Sequence, residues 1–102
     1  MDTLTPEQAR AKLAGLAGWE LNDKAISRTF KFGDFAGAVA YVVRLGFAAE
    51  AADHHPDIDI RYKRVTLTYS THSEGGLTEK DFAGAETATT LAGEPALPKP
   101  KA

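Results

Sequence analysis

The sequence predicts an α+β fold, in the order α-β-β-α-β-β-α, with a four-stranded antiparallel sheet covered by helices on one face. Three segments begin with a helix-capping residue and continue with apolar residues at three-four spacing. Between them lie two stretches in which apolar and polar residues alternate with the period of two that is typical of strands. The 102 residues suit one domain, which we assign to residues 1–93, and the proline- and lysine-rich tail at 94–102 is expected to be flexible.

The first helix is predicted to begin after Thr5, which is followed by Pro6 and, three residues after the threonine, by Gln8. This is the pattern of a capping box, in which the threonine and glutamine side chains each accept a backbone N–H of the other residue. Either Gly15 or Gly18 can end the helix.

The first hairpin is predicted at residues 19–32, with its turn at 22–24, because asparagine and aspartate bond to nearby backbone and tolerate unusual dihedral angles. Asp34 can then cap the second and longest helix. The face of this helix that we expect to be buried follows three-four spacing and comprises Phe35, Val39, Val42, Val43 and Gly46.

The second hairpin is predicted in DIDIRY and RVTLTYSTH, residues 57–62 and 64–72. The alternating residues of its second strand that share one face are Val65, Leu67 and Tyr69. Thr78 is expected to cap the third helix, with Asp81 in the first turn, where the helix dipole favours negative charge.

Composition argues against several classes of protein. The net charge of −2 gives no overall attraction for phosphate backbones, so nucleic acid is not an expected partner. The chain has no cysteine, which excludes disulfides, thiolate nucleophiles and cysteine-ligated zinc. The N-terminal segment has no continuous apolar run, so we expect neither a signal peptide nor a membrane span there, and a cytoplasmic protein.

All three histidines lie within one 19-residue window. Pro56 disfavours helical backbone at His55, so the second helix is expected to end here, with His54 on its last turn. If the helix continues to about Asp53, Glu50 and His54 are four residues apart and share a face. A helix C-terminus also favours a cationic imidazole, which helps that imidazole to donate a proton.

Three imidazoles with nearby carboxylates suit general acid–base catalysis near neutral pH, provided that His72 returns to the same place. The sequence contains no G-x-S-x-G motif and no glycine-rich phosphate loop. The residues by themselves leave two other interpretations open. The histidines, Glu50 and Asp81 can be ordinary helix-end and strand-end groups, or histidines can bind a metal, although adjacent histidines rarely ligate one ion together.

At this window the sequence resembles the pterin-4a-carbinolamine dehydratase family. The matching pattern is Glu50, then His54-His55-Pro56, Tyr62, Val65 and Thr71-His72. A downstream match to Gly-Leu-(Thr/Ser)-x-x-Asp reads Gly76-Leu77-Thr78-Glu79-Lys80-Asp81. The resemblance covers roughly residues 3–92, and the order of elements derived above is also the family's fold.

The resemblance implies dehydration of a 4a-hydroxytetrahydropterin to a quinonoid dihydropterin, which recycles the cofactor of aromatic amino acid hydroxylases. It needs no metal or other cofactor, because the N5 lone pair drives departure of the C4a oxygen. By the same resemblance His54, His55 and His72 line the pterin pocket. His54 and His72 would exchange protons with the leaving oxygen and N5, and His55 would bind and orient. The other residues carried over, in binding or orienting roles, are Glu50, Asp81, Pro56 and Thr71.

The resemblance also implies a homo-oligomer, because family members are commonly dimers or tetramers. This chain departs from some relatives at Ile58-Asp59 and Lys63, which affects expected contacts between subunits and at the pocket edge. A non-catalytic protein-binding module is the alternative function, since some relatives resemble transcriptional dimerisation cofactors or Rubisco assembly factors.

Overall fold

The computed structural model describes residues 3–93, so the tail predicted at 94–102 lies outside the described residues. The elements follow the predicted order: α1 (Pro6–Leu13), β1 (Glu20–Asn22), β2 (Ala25–Lys31), α2 (Phe35–Ala52), β3 (Asp57–Arg61), β4 (Arg64–Tyr69) and α3 (Glu79–Ala92). A short 3₁₀ turn, His72–Glu74, lies between β4 and α3. The predicted α+β class is confirmed.

The four strands form one antiparallel sheet in the order β1-β2-β4-β3. The register pairs Phe30 of β2 with Val65 of β4, and Val65 in turn with Ile60 of β3. These three residues therefore point to the same face of the sheet, which is the face covered by helices. Within the described residues β3 pairs only with β4, so one edge of β3 has no strand beside it.

The core lies between this sheet face and the helices. Tyr41 of α2 and Tyr69 of β4 are its largest fully buried side chains. The Tyr41 hydroxyl donates a 2.8 Å hydrogen bond to the Ala88 carbonyl, which ties α2 to α3. The Trp19 indole donates a 2.9 Å bond to Thr89 Oγ1, which ties the start of the first hairpin to α3. Both bonds satisfy polar atoms that would otherwise be buried without a partner.

All three predicted helix starts are confirmed. Thr5 and Thr78 each form a full capping box, and the Asp34 side chain accepts a 2.7 Å bond from the Gly37 N–H. The end of α1 differs from the prediction, because the helix stops at Leu13 and not at a glycine. Gly18 instead lies in the left-handed region, with φ of 87°, where the chain turns into β1.

The predicted buried face of α2 is wrong. The residues that pack into the core are Ala38, Tyr41, Leu45 and Ala49, whereas Phe35 and Val43 are each 53% exposed. Of the predicted residues, Val42 packs against the core from a half-buried position. The helix is apolar on nearly all sides, so three-four spacing defines more than one apolar stripe and does not choose between them. The stripe that faces the sheet is the one that carries Tyr41, whose ring packs against Phe30 and Phe32.

By length and composition, α2 is also the one helix in the described part of the chain that could cross a membrane. It carries two charged residues, Arg44 and Glu50, and its Tyr41 and Leu45 belong to the core between the sheet and α3. The core helix of a globular domain meets the same criteria of length and hydropathy, and 22% of α2 is buried here.

Candidate active site

The backbone at the end of α2 separates the two adjacent histidines. α2 ends at Ala52, and Asp53 adopts a left-handed conformation with φ of 51°. The His54 N–H then bonds to the Ala49 carbonyl at 3.1 Å, which closes the helix end in the manner of a Schellman motif. This reversal places His54 beyond the last helical turn, so its side chain and that of His55 reach different partners.

His54 is paired with a buried carboxylate. Its Nε2 lies 2.6 Å from Oδ1 of Asp81, which is fully buried at the start of α3, and the His54 side chain is only 13% exposed. Because a carboxylate only accepts, the imidazole donates from Nε2. The Nδ1 atom has no hydrogen bond within residues 3–93 and is the nitrogen left to exchange a proton.

Two further groups bond to Asp81, and a third group supports one of them. Its Oδ2 accepts a 2.8 Å bond from the Thr71 hydroxyl and a 2.9 Å bond from the Thr78 N–H. The hydroxyls of Thr78 and Thr71 lie 2.9 Å apart. Because the Thr71 hydroxyl already donates its hydrogen bond to Asp81, it accepts one from the Thr78 hydroxyl. The predicted capping carboxylate of α3 is thus also the partner of His54, in a network whose polar groups are mutually satisfied.

His55 and Glu50 form a second pair on the surface. His55 Nε2 lies 2.7 Å from Glu50 Oε1, with the two side chains 55% and 81% exposed. The expectation that Glu50 and His54 share a helix face, with His54 on the last turn, is therefore wrong. The helix ends two residues before His54, and the left-handed Asp53 moves His54 off the face that Glu50 occupies. Pro56, half-buried, joins His55 to the start of β3.

His72 lies apart from the other two histidines in its contacts. It begins the 3₁₀ turn after β4, its side chain is exposed, and it makes no side-chain hydrogen bond within the described residues. It lines an open cavity of about 470 Å³ with Asp57, Thr68 and Ser70, on the sheet face that the helices leave uncovered. Cavities of this size commonly hold small molecules. Its neighbour Thr71 connects it along the chain to the Asp81 network.

His54 lines a different and smaller cavity of about 110 Å³ between α2 and α3, whose lining includes four alanines. Tyr69 also lines it, and the rings of Tyr69 and His54 are stacked, with centroids 6.0 Å apart and planes 22° apart. Burial, and secondly the nearby Asp81 charge, raise the pKa of Tyr69 to about 12. Tyr69 therefore stays protonated even at moderately alkaline pH.

The structure joins Glu50 to His55, and His54 through Asp81 to Thr71, whereas His54 and His72 line two different cavities. Among residues 3–93, no three His, Asp or Glu side chains converge as a metal-ligand set. Sequence reasoning assigned Tyr69 only to the core and Thr78 only to a cap, and missed that both contact the His54 and Asp81 group. The sequence did contain a signal for Thr78, because the capping-box pattern already pairs Thr78 with Asp81.

The chain is similar to a family of known proteins over nearly its whole length. Residues 2–91 match the family model described as pterin 4 alpha carbinolamine dehydratase. A protein of Chloroflexus aurantiacus named "Putative pterin-4-alpha-carbinolamine dehydratase" is 51% identical over 83 residues, or 81% of this chain and 89% of that protein. A protein of the same name from Mycobacteroides abscessus is 48% identical over 93 residues, or 91% of this chain and 99% of that protein.

Two solved structures share the fold. The transcriptional coactivator/pterin dehydratase of Brucella melitensis is 39% identical, with a TM-score of 0.87 over 90% of this chain and 100% of that chain. A pterin dehydratase-like protein described as a RuBisCO assembly factor of the alpha-carboxysome is 24% identical. Its TM-score is 0.63, over 76% of this chain and 89% of that chain, a likeness that extends to the fold. The match of nearly the whole chain to the family model and to these relatives shows that the chain belongs to the pterin 4 alpha carbinolamine dehydratase family.

Proposed function

We propose that this protein dehydrates a 4a-hydroxytetrahydropterin to a quinonoid dihydropterin and water in the cytoplasm, and so recycles the cofactor of aromatic amino acid hydroxylases. The observation that carries the proposal is the 2.6 Å pair between His54 and the fully buried Asp81. This pair fixes which imidazole nitrogen holds its proton and leaves Nδ1 to act as acid or base. Family membership supports the choice of a pterin as substrate.

The reaction requires one acid and one base. The C4a–O bond breaks, and a general acid protonates the departing oxygen to give water. The N5 proton passes to a general base, and the N5 electrons form the new double bond to C4a. Electrons are conserved within the ring, so the step is neither an oxidation nor a reduction. Histidine suits both roles because its ordinary pKa lies near neutrality.

In this proposal His54 and His72 make the two proton transfers, and His55 binds and orients the pterin. The carboxylates orient imidazoles: Asp81 acts on His54 and Glu50 on His55, as their hydrogen bonds indicate. Thr71 supports Asp81, and the cavity beside His72 is large enough to admit a pterin ring. Because His54 lines a different cavity, water molecules would carry its proton to or from a pterin bound beside His72.

The test is the rate at which freshly generated 4a-hydroxytetrahydropterin disappears, followed by stopped-flow absorbance with a chelator present. We expect acceleration over spontaneous dehydration, and loss of most of it in the His54→Ala/His72→Ala protein. Arg10→Ala, an exposed change on α1, is the matched control and should match the wild type. Full activity in a folded double variant would contradict the histidine assignment, and no acceleration by the wild type would contradict the dehydratase proposal.

We further propose that the protein forms a homo-oligomer through a stripe on α2 consisting of Ala36, Ala40, Val43 and Phe47. Phe47 is 76% exposed, although it is among the largest apolar side chains of the chain. The residues of this α2 stripe follow a four-three-four spacing, which is the seam by which helices pair with one another. A second copy of α2 presents a surface of the same kind.

A protein-binding role is the second candidate function. The exposed α2 stripe favours it, since apolar side chains grouped on a surface commonly mark protein interfaces. The Brucella melitensis relative is described as a transcriptional coactivator as well as a pterin dehydratase. This role would become the leading one if the folded wild type left the dehydration rate unchanged.

A further inference from the structure

Tyr69 occupies a position that only the tertiary structure creates. It is the last residue of β4, points to the core face and is 2% exposed. One side of its ring lies against α3 at Gly84. A Cβ atom placed on Gly84 would lie 2.5 Å from Tyr69 Cε1 and 2.9 Å from Cζ, which is too close for any side chain. Glycine at 84 is thus what allows the tyrosine ring to lie here.

The same ring is bounded by two others. Trp19 packs at a centroid distance of 5.9 Å and an angle of 49°. The His54 imidazole lies 6.0 Å away and nearly parallel, at 22°. Trp19 and Gly84 therefore hold the Tyr69 ring in place, and Tyr69 presents an aromatic face to the imidazole.

His54 needs such a contact because its polar anchor is single. One hydrogen bond, from Nε2 to Asp81, fixes one atom of the imidazole but not the tilt of the ring about that atom. The χ2 torsion of histidine is broad, so rotamer preference does not fix the tilt either. The direction in which Nδ1 points depends on this tilt, and a proton transfer is sensitive to displacements of about 1 Å.

We propose that Tyr69 is a positioning residue for His54, whose ring, seated on Gly84, sets the plane of the imidazole and so the direction of Nδ1. The inference rests on the proposed dehydratase function, which it deepens. It assigns the role to the aromatic ring and not to the hydroxyl, because the hydroxyl makes no hydrogen bond to His54 or to any other described residue.

The experiment compares Tyr69→Phe, which keeps the ring, with Tyr69→Leu, which removes it. For Tyr69→Leu we expect kcat for dehydration to fall about 10-fold or more, with KM within about 2-fold, because substrate binding is untouched but Nδ1 is misdirected. Tyr69→Phe should restore kcat to within about 2-fold of the wild type. Loss of kcat in Tyr69→Phe equal to that in Tyr69→Leu would overturn the proposal and make the hydroxyl the active group.

A second readout is independent of turnover. ¹³C relaxation of the His54 ring gives an order parameter, which should fall in Tyr69→Leu and stay at the wild-type value in Tyr69→Phe. An unchanged order parameter in Tyr69→Leu would contradict the positioning role. This readout separates the two proposals, because an inactive wild-type protein sinks the dehydratase function while the ring order still tests the role of Tyr69.

Gly84→Ala tests the position of the Tyr69 ring without changing Tyr69 itself. The added methyl must displace the Tyr69 ring, so we expect lower kcat and lower His54 ring order than in the wild type. In the Tyr69→Leu background the same change should have little further effect on either quantity, because the ring it displaces is gone. Additive effects of the two changes on kcat would count against a shared route through Tyr69.

Discussion

At the scale of single residues, Asp81 connects the fold to the chemistry. One carboxylate completes the capping box of α3 by accepting a hydrogen bond from the Thr78 N–H, and it also accepts a 2.6 Å hydrogen bond from His54 Nε2. Buried carboxylates are tolerated where each oxygen has partners, and both oxygens of Asp81 are satisfied. The carboxylate oxygen that anchors His54 Nε2 is therefore held as firmly as the start of α3.

Replacing Asp81 with asparagine should reduce kcat for dehydration by roughly 10²-fold or more. If the amide oxygen accepts from His54, the NH₂ group faces the Thr71 hydroxyl and the Thr78 N–H, both donors. In the opposite orientation the amide donates to Nε2 and reverses the tautomer. We would measure kcat together with urea unfolding, where a loss of about 1–3 kcal/mol is expected. Asp59→Asn on exposed β3 is the control, and equal effects of the two variants would refute the account.

The raised pKa of Tyr69 predicts that the protein loses stability at alkaline pH. A raised pKa means that the folded chain keeps a proton that the unfolded chain loses above about pH 10, so the free energy of unfolding falls as pH rises towards 12. The fall from Tyr69 should be about 2 kcal/mol by pH 12. Urea unfolding at pH 9–12 measures it, and Tyr69→Phe should lose less stability over this range. Parallel curves for the two proteins would contradict the prediction.

At the scale of elements, a capping interaction at each end determines where α2 begins and ends. The Asp34 side chain satisfies an N–H at the start, and left-handed Asp53 closes the end just before the two histidines. The second closure determines where the imidazoles go, because one more helical turn would place His54 above Glu50. The position of the chain reversal is therefore part of the site.

Asp34→Ala should destabilise the protein by about 1 kcal/mol, since the Gly37 N–H loses its acceptor. Asp34→Ser keeps an oxygen at the cap and should retain most of the stability. Thermal or urea unfolding of the three proteins measures the difference. A serine variant as unstable as the alanine variant would show that the cap hydrogen bond is not the cause.

At the scale of the whole molecule, a single chain leaves large apolar side chains of α2 exposed to water. Four α2 residues belong to the core, while Phe47 and Val43 point outward. A homo-oligomer that buries the α2 stripe would remove these side chains from water and gain the corresponding transfer free energy.

Phe47→Glu should therefore convert the oligomer to a monomer of 10.9 kDa, measured by light scattering across a range of protein concentrations. Thr90→Glu adds the same charge at an exposed position of α3 and should leave the mass of the wild type unchanged. A wild-type protein that is monomeric at every concentration would rule out the α2 interface.

Local signals determined the elements of this protein. The capping boxes at Thr5 and Thr78 and the alternation along β2 and β4 each act over a few residues, so the sequence alone predicts them. The resemblance carried by the histidine window likewise pointed to the family that the comparisons show.

Tertiary structure decided the contacts. Asp81 binds His54 from 27 residues away, and the Tyr69 ring reaches His54 because Gly84 on another element leaves room for it. The same packing chose the buried face of α2. A capping or alternation pattern specifies the local backbone, but the partner of a side chain depends on how distant elements fill a common space, and that is settled only when the whole core packs.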